Sequence, residues 1–86
     1  MNICEQIKEI IIEQMQDAFV VISDPQDDGT HLEAVVVSDE FANMPLIAQH
    51  RRVMNLLKES FNKNLHALKL KTYSFEKWEQ SNGGEL

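Results

Sequence analysis

The chain has 86 residues, of which 43% are hydrophobic and 26% are charged, and its formal net charge is −6. A chain of this length forms one domain with a thin core, and its composition argues against intrinsic disorder. Its single cysteine excludes an internal disulfide and a zinc site made of Cys pairs. No apolar run is long enough to span a bilayer, and acidic residues near the N-terminus argue against a signal peptide. A reducing cytoplasm is therefore the predicted compartment.

The charge is distributed unevenly along the chain. Residues 1–44 contain ten acidic residues and one basic residue, whereas residues 45–86 contain four acidic and seven basic residues. The two parts therefore carry −9 and +3, which together give the net charge of −6. The overall charge argues against a general nucleic-acid binder, but the second part can still present a local basic surface.

The first half of the chain predicts a helix followed by a β-hairpin. Isoleucines and a methionine recur at three- and four-residue spacing over residues 3–15, which predicts an amphipathic helix with one buried stripe. Residues 18–23 and 32–38 are rich in β-branched side chains, and the segment DPQDDG at 24–29 between them has strong turn chemistry. Three consecutive valines at 35–37 predict a central strand that is covered by helices.

The second half predicts a long helix, a third strand and a short last helix. Pro45 suits the first position of a helix of roughly 17 residues. Its predicted apolar stripe consists of Leu46, His50, Val53, Met54, Leu57 and Phe61. Residues 66–73 alternate between two faces, residues 75–80 predict a short helix, and residues 81–86 predict a flexible C-terminal tail.

The order α-β-β-α-β-α predicts an α+β fold with a three-stranded mixed sheet in a single domain of residues 1–80. A helix joins the second and third strands, so these strands are expected to be parallel, with the helices on one face of the sheet.

Recognisable enzyme motifs are absent from the sequence, so an enzyme is the least supported class of protein. There is no phosphate-binding glycine loop, metalloprotease motif or nucleophile elbow. Cys4 lies in the first turn of the first helix, where a tolerated structural cysteine is favoured over a nucleophile. His50 lies on the apolar stripe, where a partly buried structural histidine is favoured over a metal ligand.

Two histidines precede neighbouring strands of the predicted sheet. His31 comes directly before the second strand, and His66 starts the third. If these strands are parallel neighbours, both imidazoles lie at the same end of the sheet and can approach one metal ion. Two histidines alone make an incomplete site, so a bound metal would need further ligands from a partner.

The basic residues of the second half suggest an alternative function. They comprise Arg51, Arg52, Lys58 and Lys63 on the long helix and Lys69 and Lys71 on the third strand. These cations could face phosphates, although a solvated surface with ordinary ion pairs is the favoured explanation. RNA-binding sheets display exposed aromatic residues, and only Tyr73 could serve here.

Four segments of the chain resemble the BolA family. Residues 35–41 (VVVSDEF) and 46–53 (LIAQHRRV) resemble its central motif, and residues 66–73 (HALKLKTY) with 76–78 (EKW) resemble its C-terminal motif. The GTHL run at 29–32 is similar to the family's start of the second strand. The resemblance covers about residues 5–79 with matching spacing.

The resemblance implies a class II KH-like fold and a non-enzymatic role in iron–sulfur cluster assembly or trafficking. BolA-like proteins bind monothiol glutaredoxins and share a [2Fe–2S] cluster with them, for which the partner and its glutathione provide thiolates. The BolA-like protein provides a histidine that corresponds to His66. The hairpin loop at 24–30 lacks the Cys or His that is common there, which leaves His31 as the candidate second ligand, as in the shorter-loop, IbaG-like branch. Arg51, Arg52, Lys69 and Lys71 are expected to contact the partner, and the isolated protein is not expected to hold a cluster.

The resemblance also implies an alternative function, because some family members are transcriptional regulators. A KH domain grips a nucleic-acid strand with a G-x-x-G loop, and this chain lacks one. Two further departures from the family pattern are Gln49, where an arginine is usual, and the missing glycine after Phe41. A homodimer and a nucleic-acid partner both stay open at this point, whereas a membrane partner is not expected.

Overall fold

The computed structural model of the chain describes residues 3–28, 31–61 and 68–82. Its helices are α1 (Ile3–Gln14), α2 (Leu46–Phe61) and α3 (Phe75–Asn82), and a short 3-10 helix spans Asp39–Phe41. Its strands are β1 (Phe19–Ser23), β2 (Leu32–Val37) and β3 (Leu68–Tyr73). The predicted element order and the α+β class are confirmed. The last helix ends at Asn82, two residues beyond its predicted end, and residues 83–86 lie outside the described part of the chain.

The sheet has the predicted topology, with strand order β1-β2-β3. β1 and β2 form the antiparallel hairpin, with Phe19 opposite Val37. β2 and β3 are parallel and in register from Leu32 opposite Leu68 to Val37 opposite Tyr73. The valine-rich strand is therefore central, as its run of three valines predicts.

The core lies between the sheet and the first two helices. Its buried members come from α1 (Ile7, Ile11), the turn after it (Met15), the strands (Val20, Leu32, Val36), the 3-10 helix (Phe41) and α2 (Val53, Leu57). The spacing of these residues along α1 and α2 matches one buried stripe on each helix. Burial of this apolar stripe supplies the main driving force for folding, since the hydrophobic effect scales with the area removed from water.

The prediction that all helices cover one face of the sheet is wrong for α3. Phe19, Val37 and Tyr73 are cross-strand neighbours on the face opposite the core. The Trp78 ring of α3 packs on that face, with its centroid 6.0 Å from the Phe19 ring and 5.3 Å from the Tyr73 ring. Ser74 caps α3 directly after β3, so the chain reverses at the end of the sheet and carries the indole across it. We call this the second face of the sheet.

The predicted apolar stripe of α2 is wrong at its first member. Leu46 is 60% exposed, although it lies on the same side of the helix as the buried Val53. An open cleft lies between Leu46 and β3, so this side chain does not pack against the sheet. Among the described residues, no helix combines the length and the apolar character that crossing a membrane requires.

Candidate functional site

Acidic side chains organise the chain where it leaves β1. Asp27 has a φ of 52°, a left-handed conformation that Asp tolerates better than most residues. Its N–H donates to the Asp24 carbonyl at 3.0 Å, and the Asp28 N–H donates to Asp24 Oδ1 at 3.2 Å. The DPQDD segment therefore forms the turn that its composition predicts.

The same turn fixes the orientation of His31. The His31 Nδ1 lies 2.6 Å from Asp28 Oδ2, and the His31 backbone N–H donates to Asp28 Oδ1 at 2.9 Å. An ionised carboxylate can only accept hydrogen bonds, so the Nδ1–H of His31 donates this one and Nε2 is directed away from Asp28. Metal-ligating histidines commonly have this carboxylate partner, because it sets the tautomer and the orientation of the ring. The His31 side chain is 56% exposed, so the ring is accessible to a partner molecule.

His31 lies where β2 and β3 begin side by side. Leu32 pairs with Leu68, and a small cleft of about 130 Å³ beside His31 also contacts Lys69. His66 lies outside the described residues. It precedes Leu68 by two residues in the sequence. Residues 3–28, 31–61 and 68–82 contain no group of three potential metal ligands, so the described residues do not form a complete site.

The four basic residues predicted to bind a partner do not share one surface. Arg51 is exposed on α2, which packs on the core face of the sheet. Lys69 and Lys71 are exposed on the second face, because they alternate with the inward-facing residues of β3. Arg52 is held within the molecule: its Nε donates to Glu40 Oε1 at 2.8 Å.

A second hydrogen bond links Arg52 to the end of α1, where its Nη2 donates to the Gln14 carbonyl at 3.3 Å. Arg52 therefore joins three segments of the fold, and only its remaining donors are available to another molecule.

Gln49 has a structural role that the sequence analysis missed. Its Nε2 donates to the carbonyls of Met44, at 2.8 Å, and Phe41, at 3.3 Å. Its Oε1 accepts a hydrogen bond from the Thr72 hydroxyl at 2.7 Å. One amide thus ties the loop before α2 to β3. The sequence does indicate this role indirectly, because an uncharged amide stands at a position where the family usually has arginine.

A second missed contact joins the end of α1 to the end of β2. Asp17 Oδ1 accepts from the fully buried Ser38 hydroxyl at 2.8 Å, and Oδ2 accepts from the Asp39 N–H at 2.8 Å. The Ser38 hydroxyl in turn accepts from the Glu40 N–H at 3.1 Å, as a helix cap does. Both carboxylate oxygens of Asp17 therefore hold the segment after α1 against the end of β2.

Comparison with known proteins agrees with this architecture. A sequence model described as "BolA-like protein" matches residues 6–77. The DNA-binding transcriptional regulator BolA of Escherichia coli is 31% identical over 86 residues, which cover 92% of this chain and 82% of the relative.

Solved structures are similar as well. A BolA homologue from Coxiella burnetii superposes with a TM-score of 0.75 at 32% identity, covering 92% of this chain and 99% of the homologue. BolA1 from Arabidopsis thaliana gives a TM-score of 0.74 at 31% identity, covering 86% and 93% of the two chains. The matched segment includes both strands at the His31 edge and the whole of α2. The chain belongs to the BolA-like protein family.

Proposed function

We propose that this protein is an adaptor that binds a monothiol glutaredoxin and shares a [2Fe–2S] cluster with it through His66, with His31 as an auxiliary ligand. The observation that supports this proposal best is the orientation of His31 by Asp28 at the edge where β2 and β3 begin. That edge presents a directed imidazole nitrogen to solvent, and His66 is two residues from the neighbouring strand.

The thiolates of such a cluster would have to come from the partner and its glutathione. Cys4 lines a cleft between α1 and β1, so β2 separates it from β3. Replacement of thiolates by imidazole raises the reduction potential of a [2Fe–2S] centre, as in Rieske proteins. A cluster held in this way is suited to reversible sharing between two proteins. In this proposal the protein is not an enzyme, and its compartment is a reducing cytoplasm.

Anaerobic reconstitution of the mixed complex tests this proposal. The chain, a monothiol glutaredoxin and glutathione are combined with iron and sulfide, and visible circular dichroism and EPR spectra are recorded. The variant His66→Ala should alter the spectra of the complex, and His31→Ala should alter them to a smaller extent. His50→Ala is the matched control, because His50 lies on α2 and is not among the residues that line the cleft beside His31. Spectra of the His66→Ala complex identical to the wild type would exclude the ligand assignment.

Nucleic-acid binding is the second candidate, because the E. coli relative is named a DNA-binding transcriptional regulator. Arg51 and Lys58 are exposed cations of α2 that could contact phosphate, whereas Arg52 is paired with Glu40. Binding of a labelled DNA duplex should fall steeply with salt and should weaken in the variant Arg51→Glu. The absence of binding at about 50 mM salt, where phosphate contacts are strong, would exclude this function.

A further inference from the structure

The outer edge of β3 borders an apolar cleft. This cleft has a volume of about 320 Å³ and lies between the N-terminal part of α2 and the strand β3. Its lining consists of Leu46, His50, Leu70, Lys71, Thr72 and Tyr73. Four of these residues are consecutive in β3, and consecutive side chains of a strand point to opposite faces. What they share is the backbone edge of the strand, so the cleft opens onto that edge.

The hydrogen bonds of β3 identify which backbone groups face the cleft. The Ser38 N–H donates to the Tyr73 carbonyl at 3.0 Å, so the main chain of Tyr73 is directed toward β2. The N–H and C=O of one strand residue point to the same side, and successive residues alternate. The main-chain groups of Leu70 and Thr72 therefore point outward. In the described part of the chain, β3 pairs with β2 only.

The two faces beside this edge have different chemistry. On the α2 side, Leu46 is 60% exposed and Ile47 is 64% exposed, next to Leu70. On the second face, Lys69 and Lys71 are two residues apart on the same strand. The cross-strand neighbour of Lys71 is Val35, whereas that of Lys69 is Glu33. No acidic residue is among those that line the cleft in the described structure.

We propose that the outer edge of β3 binds an extended acidic peptide segment of a partner protein by β-strand addition. A strand added here alternates its side chains between the two faces. Apolar side chains enter the cleft beside Leu46 and Leu70, and acidic side chains lie beside Lys69 and Lys71. The bound segment is thus expected to alternate apolar and acidic residues. Lys69 also lines the cleft beside His31, but the inference requires neither histidine and no bound cluster.

A single strand of nucleic acid fits the same edge less well. The loop before α2, residues 42–45, reads ANMP and offers no glycine for close approach of a phosphate backbone. The Tyr73 ring packs on Trp78, so it does not offer an open face on which a base could stack.

The proposal is tested by phage display. A library of random twelve-residue peptides is selected on the immobilised 86-residue chain. The expected result is enrichment of sequences that alternate apolar and acidic residues. A fluorescent synthetic copy of the most enriched peptide is then titrated by anisotropy. The double variant K69E/K71E should weaken its binding at least about tenfold, because it places like charges opposite the acidic residues. The variant Lys8→Glu is the matched control, because it changes an exposed lysine of α1, and it should change the affinity less than about twofold.

Amide hydrogen exchange by NMR distinguishes strand addition from other modes of binding. With the peptide bound, the N–H groups of Leu70 and Thr72 should become protected, whereas those of Lys71 and Tyr73 should change little, because they already face β2. The proposal is overturned if no such peptide is enriched, if K69E/K71E and Lys8→Glu weaken binding equally, or if protection does not alternate. It is also overturned if a decathymidine oligonucleotide, but no selected peptide, protects these amides.

Discussion

Replacement of Gln49 by alanine is expected to destabilise the protein more than any other polar substitution on α2. The variant removes two donors to the carbonyls of Phe41 and Met44 and the acceptor of the Thr72 hydroxyl. Each hydrogen bond contributes about 1 kcal/mol net, and a buried hydroxyl without a partner costs about 1–3 kcal/mol. Thr72 is only 7% exposed, so water replaces the lost acceptor poorly. We therefore expect a loss of roughly 3 kcal/mol in the free energy of unfolding.

Such a loss is large for a domain of this size, whose total stability is expected to be about 4–13 kcal/mol. The measurement is urea unfolding followed by circular dichroism, with Trp78 fluorescence as a second probe of two-state behaviour. Asn55→Ala, at an exposed position of α2, is the control and should change stability by less than about 0.5 kcal/mol. A double-mutant cycle of Gln49→Ala with Thr72→Val should give a coupling energy of about 1 kcal/mol. If Gln49→Ala costs no more than Asn55→Ala, the structural role given to this amide is wrong.

Three further substitutions test other contacts. Asp17→Ala should lower the free energy of unfolding by about 2 kcal/mol, because it leaves the buried Ser38 hydroxyl without its acceptor. Urea titration measures this loss, and an unchanged unfolding midpoint would contradict it. Trp78→Ala should cost about 2–3 kcal/mol, less than a fully buried tryptophan, because the indole is only half-buried. Its thermal midpoint should fall by at least about 8 °C, and a fall of less than about 2 °C would show that α3 contributes little to the second face. Asp28→Ala should leave stability nearly unchanged but redistribute the ring tautomers of His31, which ¹⁵N chemical shifts report; identical shifts would mean that the carboxylate does not orient the ring.

Local patterns in the sequence predict most of the fold. The spacing of Ile7, Ile11 and Met15 is sufficient to identify α1 and its buried side, because helical periodicity is a local property. The turn residues between β1 and β2 specify the hairpin, and the helix between β2 and β3 requires their parallel pairing.

Local sequence patterns do not predict the contacts between segments that are distant in the sequence. Asp17 and Ser38 are 21 residues apart, and nothing in either local sequence indicates that they meet. The side of the sheet on which α3 lies depends on where Trp78 finds an apolar surface, which periodicity does not specify. Leu46 satisfies the helical repeat and is still exposed, because exposure depends on where the helix begins relative to the sheet.

The sequence also predicts the candidate site only in part. The position of His31 before β2 follows from the sequence, but its pairing with Asp28 depends on a turn geometry that includes a left-handed residue. The basic residues illustrate the opposite case. The sequence places Arg51, Lys69 and Lys71 together in the basic second half of the chain. In the structure Lys69 and Lys71 lie on the second face of the sheet, whereas Arg51 lies on α2, which packs on the core face.

The parallel pairing of β2 and β3 has a consequence for the order of folding. Leu32 and Leu68 are 36 residues apart in the sequence, so their pairing closes a long loop, whereas the β1–β2 hairpin closes a short one. During synthesis the hairpin and His31 emerge first, and the edge that His31 shares with β3 forms only after β3 has left the ribosome. A chain that stops at the end of α2 would retain a turn with an oriented imidazole but would have neither the second histidine nor the edge beside α2. Both proposed binding surfaces therefore depend on the last strand to join the sheet, which couples function to completion of folding.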